Sequence, residues 1–166
     1  MKAVQHGGDL SAAAARFGVA KDGWLDLSTG INPEAYPLGE MPKQLMAQLP
    51  VQADLEALVR AARRAYGVSD DAVLIASPGT QALIQSLPTL FAPSDVTVLS
   101  PTYGEHAPAW SAAGHRVESV NSICAQAAHT APFGVVVHPN NPDGRTQTIE
   151  GLLAFAAELH DRGGVL

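Results

Sequence analysis

From Asp54 onward the chain alternates short, nearly continuous apolar runs with segments of helical period. No other feature constrains its fold as much, because strands and helices that alternate at this spacing build a mostly parallel α/β sheet with right-handed crossovers. Leu55, Leu58, Val59, Ala62, Ala65 and Tyr66 fall on one helical face, with Asp54 near its start and Gly67 at its end. Strands are then expected over Ala72–Ala76, Val96–Ser100, His115–Val120 and Gly134–His138. Helices are expected over Thr80–Phe91, bent or broken near Pro88, over Glu105–Ala113, ended by Gly114, and over Thr148–Arg162. Runs such as Gly134, Val135, Val136 and Val137 suit a strand covered on both faces. A further apolar run opens at Val165 and Leu166. A buried strand left unfinished would leave its neighbours' backbone groups unpaired, so the expectation is a chain cut in mid-domain.

Residues 1–50 differ in character, being rich in Gly and Pro and weakly periodic. Asp9 can cap a short helix over Ala12–Phe17 that Gly18 ends. Trp24–Leu27 is a short apolar stretch, Ser28–Pro37 reads as a loop, and Met41–Leu49 as a short helix with Pro42 in its first turn. Composition settles the broad class. With 46% hydrophobic and 16% charged residues there is enough apolar material for a packed core. Ten basic against sixteen acidic residues, a net charge of -6, argue against nucleic acid and anionic membranes as partners. No run approaches the roughly 20 apolar residues that span a bilayer, and residues 1–10 do not read as a signal peptide, so a cytoplasmic protein is expected. The single cysteine, Cys124, excludes an intrachain disulfide.

In sheets of this kind ligands sit beyond the carboxyl ends of the strands. Three such ends carry unusual residues. Ser77, Pro78, Gly79, Thr80 and Gln81 precede a helix, where the backbone amides of Gly79, Thr80 and Gln81 can point outward at an anion and the Thr80 hydroxyl can add a bond. A plain capping turn would use the same residues. Pro101, Thr102, Tyr103, Gly104, Glu105 and His106 place an aromatic ring where it can stack on a planar ligand, or simply pack on its own helix. His138 to Gly144 forms an Asn-Pro turn in which the Asn141 amide can donate to a ligand oxygen, or close a surface turn. No dinucleotide or nucleotide phosphate loop and no serine-nucleophile elbow competes with these, and the six histidines show no ligand spacing, so no metal is expected.

Taken in order, Gly-Thr-Gln at 79–81, Pro-Thr-Tyr at 101–103 and Pro-Asn-Asn-Pro-Asp-Gly at 139–144 closely resemble the fold-type-I aminotransferases that use pyridoxal 5'-phosphate. More narrowly the chain resembles the threonine-phosphate decarboxylases of cobalamin biosynthesis. His6 to Gly8, Leu25 to Pro33, Pro78 to Gln85, and Pro101 to His106 with Trp110, Gly114 and His115 carry that match. The resemblance implies the aminotransferase class I/II fold, three-layered around a mostly parallel sheet. Residues 1–50 would form an N-terminal arm and part of the small domain, and 51–166 the first part of the large cofactor-binding domain. It implies that Gly79, Thr80 and Gln81 hold the cofactor phosphate, that Tyr103 stacks on the pyridine ring, and that Asn141 bonds the ring's 3-oxygen. It puts His6, Gly30 and Asn32 on the substrate side. The implied reaction takes L-threonine O-3-phosphate to (R)-1-amino-2-propanol O-2-phosphate with loss of CO2, in a homodimer. A histidinol-phosphate-type aminotransferase and a non-catalytic remnant of the same fold, acting as a binding module, remain as alternatives.

The chain departs from the family pattern in places. Leu49-Pro50 stands where relatives carry a Tyr-Pro that reaches the neighbouring subunit's cofactor phosphate, and Asp143 stands for the usual Thr, as a harmless turn residue. The aspartate that pairs with the pyridine nitrogen, the lysine that binds the cofactor and a carboxylate-binding arginine are expected beyond Leu166. Lys2, Lys21 and Lys43 match no such motif, so the chain is expected to be inactive alone.

Overall fold

A computed structural model describes residues 7–19, 23–32 and 34–166. Two compact units are present: residues 1–31 with 83–166, and residues 32–82. The expected division at 50/51 falls inside the second of these.

In the first unit, α1 (Leu10–Phe17) starts where Asp9 accepts from the amides of Ser11 and Ala12, and stops at Gly18, whose φ of 66° closes the helix in the left-handed region. Further on lie β1 (Asp95–Leu99), α5 (His106–Ala112), β2 (Arg116–Val120), α6 (Ile123–Ala128), β3 (Phe133–Val135) and α7 (Ile149–Asp161). Among the described residues the three strands form one parallel sheet in the order β2-β1-β3, with Val96 opposite both Val117 and Phe133. Val165 bridges to Phe133 in parallel on the outer side of β3, so the apolar run expected there does meet the sheet.

Side-chain alternation divides the sheet into layers. Val96, Val98 and Phe133 face α5, where they pack with Trp110, Phe91 and Val117. The Phe91, Trp110 and Phe133 rings lie 4.8–6.1 Å apart. His115 sits buried at their edge and is fully used: its Nδ1 accepts from the Ser94 amide and its Nε2 donates to the Pro88 carbonyl. Thr97 and Gly134 face the other side. Gly134 is required there, because a Cβ would stand 2.9 Å from the Phe155 ring and 3.0 Å from Leu159 of α7. Since α6 packs on both α7 and β1, the order is α5, then sheet, then α6 with α7, the expected three layers.

The second unit holds α2 (Lys43–Ala47), with Pro42 as its cap rather than in its first turn, and α3 (Gln52–Tyr66), which ends at Gly67 as expected. The helix α4 (Thr80–Ser86) begins in this unit. It stops short of the expected Phe91, because Pro88 lacks an amide and obstructs the preceding turn, and Leu87–Leu90 tightens into a 3-10 turn.

Two expected strands need correction. Ala72–Ala76 is not a strand: the Arg63 guanidinium donates to the carbonyls of Ser69 and Ala72, fixing the turn just before it, residues 73–76 run without regular structure, and no strand among the described residues of that unit stands beside them. Gly134–His138 shrinks to Phe133–Val135, because the buried Gln126 amide donates to the carbonyls of both Thr97 and Val135 and ends the ladder there. The remaining expected elements agree within one or two residues of their ends.

Candidate functional site

The loops that leave the carboxyl ends of β1 and β3 are tied to each other by side chains. Asn140 is buried. Its Nδ2 donates to the Pro101 carbonyl at 3.0 Å and to Asp143 Oδ1 at 2.7 Å, while its Oδ1 accepts from the Thr102 hydroxyl at 2.7 Å. Arg145 adds a second donor to the Pro101 carbonyl at 3.1 Å and pairs with Asp143 at 2.6 Å. Backbone bonds from Asn140 to Arg145 and from Gly144 to Asn140, each 2.8 Å, close the turn, and Gly144 supplies the φ of 69° it needs. The Asp143 carboxyl is held below its ordinary value of 3.8, first by the Asn140 amide and then by the Arg145 backbone amide and charge. Asp143 therefore does more than fill a turn.

This latch leaves Asn141 exposed at the tip of the loop, beside its buried neighbour. Tyr103 sits half-buried on the other loop, its ring edge-on to His106 at 6.1 Å. Burial pushes the His106 imidazole below its ordinary value, favouring the neutral ring. Alongside, a shallow depression of about 520 Å³ opens over Ser100, Pro101, Ser119, Val120, Asn121 and Ala125, again at strand carboxyl ends. An exposed amide donor and an aromatic ring on cross-tied loops can orient a flat, oxygen-bearing ligand.

The other expected residues are placed separately. Gly79, Thr80 and Gln81 are exposed at the start of α4, and Gly79 takes a φ of 84°. The Gly79 amide donates to the Ser77 carbonyl at 2.8 Å, so it does not point outward as the sequence suggested. Gly30 is exposed, and Asn32 uses its Oδ1 to accept from the Glu34 amide. His6 lies outside the described residues, as do Lys2 and Lys21, while Lys43 is exposed on α2. Leu49 and Pro50 are exposed. Cys124 is an exposed free thiol. Among the described residues no group of three or more His, Cys, Asp or Glu could hold a metal, and no helix is long and apolar enough to cross a membrane.

Sequence reasoning missed Asn140, Thr102 and Arg145. A signal was available: two adjacent asparagines leaving a buried strand cannot both face the ligand, so one of them must turn inward.

Residues 47–166 match the model of the aminotransferase class I and II family. The chain is also 41% identical over 167 residues to a threonine-phosphate decarboxylase from a Sinorhizobium species, covering 98% of this chain and 49% of that protein. It is 40% identical over 169 residues to a threonine-phosphate decarboxylase from Pseudomonas aeruginosa, covering 98% and 48%. The chain thus spans about half the length of the curated relatives it matches.

Proposed function

The chain belongs to the aminotransferase class I and II family, and from that premise we propose that its strand-end loops help hold pyridoxal 5'-phosphate for the decarboxylation of L-threonine O-3-phosphate. The observation that carries the substrate is the reach of the similarity. The family model begins at residue 47, whereas the likeness to threonine-phosphate decarboxylases takes in 98% of the chain and so includes the N-terminal arm. That arm carries His6, Gly30 and Asn32, the residues proposed for the substrate side. The product is (R)-1-amino-2-propanol O-2-phosphate, the reaction belongs to cobalamin biosynthesis, and a homodimer is part of the same reading.

The residues fit such a cofactor. Asn141 is exposed on a loop fixed from behind, and Tyr103 offers a ring on the loop it is tied to. When bound, the cofactor's ring accepts the electron pair released as a bond to the substrate's α-carbon breaks. Tyr103 would stack on that ring and fix its plane. Asn141 would donate to its 3-oxygen and favour the ionised form of that oxygen. Thr80 and Gln81, with the turn at Gly79, would receive the phosphate; the Gly79 amide would have to leave Ser77 to join them. His6 would bind the substrate's phosphate. None of Lys2, Lys21 and Lys43 stands in the strand-end loops, so we propose that the lysine that binds the cofactor comes from outside residues 1–166 and that these residues alone have no turnover.

The test is product analysis with residues 1–166 in a cofactor-loaded, full-length protein that also supplies the lysine. Aminopropanol phosphate and CO2 from threonine phosphate are expected. Transfer of an amino group to 2-oxoglutarate with no CO2 released would favour the aminotransferase instead, and turnover of neither kind a non-catalytic module. At the level of the site, Asn141→Ala should raise the pH midpoint of the bound cofactor's absorbance. It should also weaken cofactor binding by about ten- to a hundredfold, the worth of a hydrogen bond to a charged group.

A further inference from the structure

We propose that Asn140 is a positioning residue for this cofactor site: its buried side chain latches the loop after β3 to the loop after β1 and so sets where the Asn141 amide stands. The inference rests on the cofactor reading above and goes beyond it, because Asn140 would touch neither cofactor nor substrate.

The case starts from what a turn needs. The turn at 140–145 is closed by its own backbone bonds and by Asp143, which accepts from the Arg145 amide. Asn140 adds one side-chain bond to Asp143 within the turn and spends the rest of its side chain outside it, on Pro101 and Thr102, residues 39 and 38 positions away in the chain. Every polar group of that side chain is used. Both amide hydrogens go to oxygens, Pro101 O and Asp143 Oδ1, and the carbonyl oxygen takes the Thr102 hydroxyl. The orientation of the amide is therefore fixed, since reversing it would set oxygen against two acceptors. Its burial makes these bonds hard to replace by water. Asn141 is the next residue, exposed, and separated from β3 only by segment 136–140. The sheet ladder no longer holds that segment, because Gln126 has ended it at Val135. Besides the His138 Nε2 bond to the Gln147 carbonyl at 3.1 Å, it is the latch that fixes the chain between the end of the strand and the amide that would meet the ligand.

A residue that acts through another reveals it in a double-mutant cycle. Cofactor affinity by equilibrium dialysis, and the pH midpoint of the bound cofactor's absorbance, would be measured for the parent, Asn140→Ala, Asn141→Ala and the double variant, with the melting temperature of each. We expect Asn140→Ala to weaken binding about tenfold and to move the absorbance midpoint in the same direction as Asn141→Ala. In the Asn141→Ala background its further effect should fall below about twofold. Equal losses with and without Asn141, or an unmoved midpoint, would overturn the positioning role while leaving the cofactor site intact. An Asn141→Ala variant that binds and titrates like the parent would overturn the cofactor reading and the latch with it. If Asn140→Ala does not fold, Thr102→Val removes a single bond at nearly constant volume. It should weaken binding by about threefold in the presence of Asn141 only, and no change would overturn the proposal.

Discussion

Helix α3 and strands β1 to β3 have apolar patterns of comparable clarity in the sequence, but they fare differently in the structure. Val96 and Val98 of β1 are 1% exposed, whereas Leu58 on the apolar face of α3 is 55% exposed. The same contrast separates two apolar runs that were both expected as strands. Val96 to Leu99 lies under helices, while Val73 and Ile75 are 87% and 73% exposed. A pattern states which face an element has to cover. It does not state what will cover it, because burial depends on residues far away in the chain. The expected site residues divide in a related way. Tyr103 and Asn141 lie on loops that the sheet unit ties together, and Gly79 to Gln81 lie exposed at the start of α4.

The strongest way to sharpen the contrast is to empty the sheet unit's core. Trp110 is buried against Val96, Val98 and Phe133 and stacks on Phe91. Trp110→Ala should cost about 3–5 kcal/mol, the range for removing a large aromatic side chain from a core. Urea unfolding of the purified protein checks this, and a loss below about 1 kcal/mol would mean that this cluster is not the centre of the fold. A milder change in the same unit is Gly134→Ala. The added methyl would press on the Phe155 ring, and overpacking of this kind costs about 1–3 kcal/mol. Recovery of part of that loss on adding Phe155→Leu is the expected signature, since the ring is what the methyl meets.

Much of this unit could be read in advance because its rules are local. Caps fix the helix ends, as at Asp9, Gly18 and Thr148 here and at Gly67 in the second unit, and Pro88 fixes the break after α4. What could not be read are events between distant residues. Gln126 takes the Val135 carbonyl and shortens β3, and Arg63 takes the Ala72 carbonyl and keeps that segment from pairing. The site follows the same division. The placement of Tyr103 and Asn141 on the loops after β1 and β3 is legible, because strand ends are readable from the apolar runs. The different surroundings of Asn140 and Asn141 are not, since two identical letters differ through bonds to Pro101 and Thr102, far away in the chain, and to Asp143.

On α3 the expected effect is smaller. Leu58→Ala removes a side chain that is already more than half in water, so unfolding should change by less than about 1 kcal/mol. The comparison breaks if the cost exceeds about 2 kcal/mol, for the apolar face of α3 would then be covered in the protein under test, and the two regions would differ only in what covers them.

The smallest effect belongs to the edge of the sheet unit, where Asp143 joins the latch from a solvent-accessible position. Its carboxyl is held below its ordinary value of 3.8 by the Asn140 amide, the Arg145 amide and the Arg145 charge, in that order of first importance for the amides. A depressed acid stabilises the fold while it is ionised. Its contribution is therefore complete above about pH 4 and is lost as the pH falls through the lowered folded-state value. Asp143→Asn removes the charge at every pH. The stability gap between parent and variant should accordingly stay constant from neutral pH down to about pH 5 and close below pH 4, whereas the gap produced by Trp110→Ala should not follow this titration, since no carboxylate takes part in that cluster. Urea midpoints for the parent and both variants across this range provide the measurement. A parent-to-Asp143→Asn gap that persists unchanged at pH 3 would show that the carboxylate's charge does not contribute to the latch, leaving the neutral hydrogen bonds of Asn140 and Thr102 to hold the two loops together.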